Sequence, residues 1–189
     1  MSECFIDIIQ LQRNVATARD IESYGKLFRH FHRPLTRFAA AIVKSNESAE
    51  EIYSDIMLKI WELGPALNNI ENLQVYLFIS VKHASLNYIA KYYKVNTIDI
   101  ESIDLNLPYE MDPEQTFLQA ELQRKIALAV KALPNKCQLV YKLIKEDGCS
   151  YREVAEILHI SINTVEGHMT TALKKISQAL RFYLHPHNN

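Results

Sequence analysis

The 189-residue sequence predicts an all-α protein of two small helical domains joined by a flexible acidic linker. Three observations lead there. Apolar residues recur at helical spacing up to about residue 95, and again from 114 to 185. No segment alternates convincingly with the period of a strand, and only four Gly and six Pro punctuate the chain. The stretch between the blocks, NTIDIESIDLNLPYEMDP (residues 96–113), has no clear period and holds two Pro. The expected boundaries are therefore a first domain at 1–95, a linker at 96–113 and a second domain at 114–189.

In the first block, YGKLFRHFHRPLTRFAAAIV (residues 24–43) forms a helical hairpin arm interrupted by Pro34, which marks either a kink or a helix start. Ser48 and Glu51 have capping-box spacing ahead of the next helix. That helix runs to about Leu63, burying Ala49, Ile52, Tyr53, Ile56, Met57, Ile60 and Trp61, with Glu50, Glu51, Asp55, Lys59 and Glu62 outside. Gly64-Pro65 ends it. NLQVYLFISVKHASLNYIAKYYK (residues 72–94) then interleaves aromatic rings with His83, Lys82, Lys91 and Lys94. Rings stack on unpaired bases while cations follow phosphates, so this stretch suits single-stranded DNA. By spacing Tyr76 and Tyr88 fall inside; Lys91, Tyr92 and Lys94 fall outside.

The second block opens with a helix from Pro113 to Leu133, and Pro134 is placed as the first residue of the next. Gly148 closes that helix. SYREVAEILHISINTVEGHMTTALKKI (residues 150–176) reads as two short helices joined by a tight turn, the arrangement of a helix-turn-helix. Ser150 and Glu153 form a capping box, and Val154, Ala155 and Leu158 pack inward. His159 takes the left-handed turn position and Ser161 caps the second helix. On that helix Val165, Met169, Ala172, Ile176 and Leu180 share the inward face, with Thr164, Gly167, His168, Thr171, Lys175 and Gln178 opposite. No acid follows Glu166, whereas Lys174, Lys175 and Arg181 do.

Charge and composition narrow the function. Net charge is −1, low for a protein that must grip DNA alone. It is segregated: no acid lies between Asn72 and Ile98, and six acids with no base lie between Asp99 and Glu114. Weak affinity for DNA alone, with a partner supplying the rest, is the expectation. Cys4, Cys137 and Cys149 share no metal or disulfide spacing, and the seven His are scattered, so reduced packed thiols and no metal are expected. No Gly-rich phosphate loop or nucleophile motif points to an enzyme or a cofactor. No apolar run reaches bilayer length and the N-terminus has no basic leader, so the expected location is cytoplasmic, without membrane insertion.

Residues 22–94 resemble region 2 of bacterial sigma-70 family sigma factors, and residues 114–184 resemble region 4. The pair, with a short linker, looks like the extracytoplasmic-function (ECF) branch. SAEEIYSDIMLKIWE (residues 48–62) is similar to the helix that docks on the β′ clamp helices of core RNA polymerase, which implies contacts from Glu51, Ser54, Asp55 and Lys59. LQVYLFISVKHASLNYI (residues 73–89) is similar to the segment that opens and reads the −10 element, which implies Tyr76, Lys82, His83, Asn87 and Lys91; the family more often has Trp at Tyr76, Asn at His83 and Gln at Ser54. Region 4 implies −35 contacts from Thr164, Glu166, Gly167, His168, Thr171, Lys174 and Lys175. Many members carry basic residues at Glu166, His168 and Thr171, and TVEGH resembles the branch common in Bacteroidetes. The resemblance further implies the β flap of polymerase, promoter DNA and an anti-sigma factor, often membrane-anchored, as partners. INTVEGHMTTALKKI also resembles the output domain of response-regulator transcription factors, which would require a strand-helix receiver upstream.

Overall fold

The computed structural model describes residues 7–93 and 117–184. Cys4, Lys94, the linker 96–113 and the start of the helix expected at Pro113 lie outside the described residues. The described residues form eight α-helices and one 3-10 helix, with no strand among them, in two compact units.

The first unit holds α1 (Ile8–Ala18), α2 (Ile21–Val43), α3 (Asn46–Leu63), a 3-10 turn (Gly64–Asn69) and α4 (Leu73–Tyr93). Helix α2 is one element through Pro34, packed against both α3 and α4. Leu27, Phe31, Leu35 and Phe38 from α2 meet Ile52, Tyr53, Ile56 and Ile60 of α3 and Leu77, Phe78 and Val81 of α4 in a buried core. Phe38 and Phe78 meet edge-on at 5.3 Å, and the Tyr53 hydroxyl donates to the Phe28 carbonyl.

Helix α3 begins one turn earlier than the Ser48–Glu51 capping box would place it. Ser45 is the cap, its hydroxyl accepting from the Ser48 amide at 3.2 Å. With that amide satisfied, Ser48 turns inward, and its hydroxyl donates 2.8 Å to the Tyr88 phenol on α4. At the far end Gly64 adopts φ +52 and ψ −129, a conformation that favours glycine and so halts the helix there. Ala49, Ile52, Tyr53, Ile56, Met57 and Ile60 are buried as expected, Trp61 only half so.

Helix α1 starts at an Asp7 cap, whose carboxylate accepts from the Gln10 amide at 3.0 Å. It is held by two devices. Gln12 is buried and donates 2.8 Å bonds to the carbonyls of Leu67 and Ile70 in and beside the 3-10 turn. Arg19, left-handed at φ 53, donates to the Trp61 carbonyl and lays its guanidinium 4.3 Å over the Trp61 ring.

The second unit holds α5 (Phe117–Lys131), α6 (Asn135–Lys145), α7 (Tyr151–Leu158) and α8 (Ile162–Leu184). Its core joins Ala129, Val130, Leu133 and Cys137 to Ala172 and Ile176 of α8, with Ile126, Tyr141 and Leu180 at its margin. Pro134 is the N-cap of α6 rather than its first helical residue; ψ of 143 leaves it extended, as a residue before a helix is. Gly148 takes φ +71.

Candidate nucleic-acid interface

The helix-turn-helix forms as its residues dictate. Ser150 accepts from the Glu153 amide at 3.3 Å while the Glu153 carboxylate accepts from the Ser150 amide at 2.7 Å, closing the capping box on α7. His159 ends α7 at φ 64 and ψ 41, the left-handed corner. Ser161 caps α8, its hydroxyl accepting from the Thr164 amide at 3.1 Å. Val154, Ala155, Ile157 and Leu158 are buried against α8, which contributes Val165, Met169, Ala172 and Ile176.

The opposite face of α8 is open. Thr164, Glu166, Gly167, Thr171, Lys174 and Lys175 are all exposed. A Cβ built on Gly167 meets nothing within 4 Å, so this glycine is not required by packing within the unit. Thr171 donates its hydroxyl to the Gly167 carbonyl at 2.9 Å, which leaves its oxygen facing outward as an acceptor. His168 differs from the rest. It is half-buried, its Nδ1 lying 3.6 Å from the Cys137 sulfur on α6. Partial burial, with Lys136 adding to it, holds the imidazole below its ordinary range.

On α4 two expectations are reversed. Lys82 is only 5% exposed, on the inward stripe that also carries Phe78 and Ser85; burial pushes its ammonium pKa down. A side chain enclosed this way does not reach a phosphate from the surface, so Lys82 is withdrawn from the DNA-facing set. Tyr76, expected inside, is 40% exposed, because Leu73, Val75 and Leu77 fill the interior around it. Tyr76, His83, Asn87 and Lys91 then fall on one exposed stripe at helical spacing. Beside it Tyr88 is half-buried and meets Tyr92 at 4.5 Å with the rings tilted by 34°; Tyr92 is 62% exposed and carries the Lys91 ammonium 5.5 Å from its ring centre.

On α3, Glu51, Ser54, Asp55 and Lys59 are exposed on the face opposite the core, and among the described residues none pairs with another side chain. Glu50 is engaged instead, 2.8 Å from His32. Leu58, 53% exposed, lies within this polar face. Its omission from the buried stripe of α3 was the signal available in the sequence. A large apolar side chain ringed by charge is the usual centre of a protein contact.

Among the described residues no helix is long and apolar enough to cross a membrane, and no cluster of three or more potential metal ligands occurs.

Residues 27–94 match the family model of sigma-70 region 2, and residues 123–176 match that of sigma-70, region 4. Comparison with curated proteins returned no match. Among solved structures the chain is similar to CnrH, in a structure of CnrH in complex with the cytosolic domain of CnrY. The TM-score is 0.51 at 19% identity, covering 91% of this chain and 96% of that one, a likeness of fold. With regions 2 and 4 matched in that order over more than half of its length, the chain belongs to the sigma-70 family of transcription-initiation factors.

Proposed function

We propose that the chain is an ECF-type sigma factor that joins core RNA polymerase and directs it to promoters through −35 and −10 contacts. One observation carries this reading: in helices belonging to sigma-70 regions 2 and 4, the faces opposite the core stay exposed, polar and largely unengaged. The α3 face with Glu51, Ser54, Asp55 and Lys59 docks on the β′ clamp helices, and the second unit meets the β flap. The α8 face with Thr164, Glu166, Gly167, His168, Thr171, Lys174 and Lys175 enters the −35 major groove. The α4 stripe of Tyr76, His83, Asn87 and Lys91 engages the −10 element.

The energetics suit a shared task. Unstacking a base pair costs a few kcal/mol, and an aromatic platform returns roughly 1–3 kcal/mol per base. Near-neutral net charge keeps each unit a weak DNA ligand by itself. Polymerase links the two contacts and converts the second into an intramolecular event. The response-regulator alternative loses its support, because the upstream residues match sigma-70 region 2 where a strand-helix receiver was required. The complex of CnrH with the cytosolic domain of CnrY supports a protein partner here as well, in keeping with the anti-sigma factor that the family resemblance implies, acting in the cytoplasm where the polymerase works.

Run-off transcription with core polymerase plus this chain, followed by sequencing of the 5′ ends, tests the reading. Defined start sites preceded by a shared pair of −35 and −10 elements are expected; core polymerase giving the same starts without the chain would refute it.

His83→Ala is expected to slow promoter opening at least about fivefold, the loss of one base contact of ~1–3 kcal/mol. Closed-complex formation should change little, since the α8 contacts remain. Permanganate reactivity of unpaired thymines separates the two steps. An equal loss in both would place His83 outside the melted region.

A further inference from the structure

The contact between Cys137 on α6 and His168 on α8 links the core of the second unit to its outer face. The thiol is 5% exposed, and burial pushes its pKa up against the opposing pull of Lys175, so it keeps its proton at neutral pH. The imidazole, held below its ordinary range, is neutral there too. A neutral ring bears one N–H, and the partner of one nitrogen decides which nitrogen carries it. Either the thiol donates to a bare Nδ1, or a protonated Nδ1 donates to sulfur. Sulfur is a weak acceptor and an imidazole nitrogen a good one. Only the first arrangement also gives the buried thiol proton an acceptor within the 3.6 Å contact. It places the ring proton on Nε2, the one remaining polar atom of the ring, which no other described residue engages.

We propose that Cys137 is a positioning residue that fixes His168 as a hydrogen-bond donor, so that α8 at this point selects a base edge offering an acceptor: guanine O6 or N7, adenine N7 or thymine O4, and not the cytosine amino group. The inference rests on the reading of α8 as the −35 recognition helix. Two neighbours support it. A Cβ on Gly167 would meet nothing within 4 Å, so the helix surface is open to a base edge at the position before His168. Thr171, with its hydroxyl proton committed to the Gly167 carbonyl, presents an acceptor one turn away. The face therefore has a fixed donor–acceptor polarity that neither residue has in isolation.

Two measurements on the full chain test this. The first records the ring nitrogens of His168 by NMR at pH 7.5 in histidine-labelled protein. The second selects promoters with holoenzyme from duplexes randomised across the −35 element. Wild type is expected to show a bare Nδ1 and a protonated Nε2. It should prefer an acceptor-bearing base at one position by about fivefold, the discrimination of a single hydrogen bond. In Cys137→Ala the two tautomers mix and the preference falls to parity. Cys137→Ser, differing from the Ala variant by one oxygen, restores both, so packing losses common to the two variants do not confuse the result. A proton on Nδ1 in wild type, or the same preference in wild type and Cys137→Ala, would overturn the inference. Wild-type holoenzyme indifferent to every −35 position would overturn the reading of α8 itself, and the base preference with it; that outcome is distinct because it does not depend on Cys137.

Discussion

Charge reversal at Asp55 is expected to abolish stable association with core polymerase while the chain stays folded. Asp55 sits mid-way along the exposed face of α3, with Glu51 one turn before it, Lys59 one turn after it and Leu58 alongside. No described residue pairs with it, so Asp55→Arg breaks nothing inside the unit. An exposed substitution of this kind moves unfolding free energy by no more than about 0.5 kcal/mol. At the interface the effect is large. Losing one charge of a pair buried in a docking contact costs at least about 2–5 kcal/mol, or roughly 30-fold to several thousand-fold in affinity, and reversing it adds to that. Co-purification with core polymerase, alongside a thermal melt, checks both halves; undiminished co-purification would remove Asp55 from the docking face.

Thr171→Glu is expected to reduce −35-dependent transcription at least about tenfold, since like charges brought together in an interface cost several kcal/mol. The residue is exposed on α8 and its only described bond is to its own helix, at the Gly167 carbonyl. Glu is also a better helix former than Thr, so the fold does not suffer. A carboxylate at this point would set negative charge against the DNA in the proposed −35 contact. Transcription from a promoter with a consensus −35 element, compared with one that depends on its −10 region alone, reads the effect. Equal activity of the variant on both would take Thr171 off the groove-facing surface.

What the sequence disclosed, and what it hid, follows from the reach of the forces involved. The capping box at Ser150–Glu153, the left-handed His159 and the Ser161 cap are local hydrogen-bond devices, and all three form as read. The buried stripes of α3 and α8 follow from apolar residues three and four apart on helices whose other face is polar. Helix α4 resisted the same reading because apolar residues cover most of its circumference, with His83, Asn87 and Lys91 forming only a narrow polar stripe. With Leu73, Val75, Leu77, Phe78 and Val81 all buried, period alone does not choose a face, and Tyr76 and Lys82 exchanged places. The Ser45 cap was missed because Ser48, three residues on, offered an equally good local pattern, and the pull of Tyr88 on Ser48 comes from 40 residues away. Helix α1 depends on Gln12 meeting carbonyls 55 and 58 residues along the chain. The Cys137–His168 contact spans 31 residues and left no trace in spacing. Local chemistry was legible; contacts made by folding were not.

The proposed mechanism is cooperative: two helical units, each weak on DNA, hold a promoter only when polymerase links them. Affinity for a promoter duplex, measured by fluorescence anisotropy for the chain alone and for the chain with core polymerase at one salt concentration, tests this most directly. The chain alone should bind at least about 100-fold more weakly than holoenzyme and barely distinguish promoter from scrambled duplex. Tight, sequence-selective binding by the isolated chain would contradict the account.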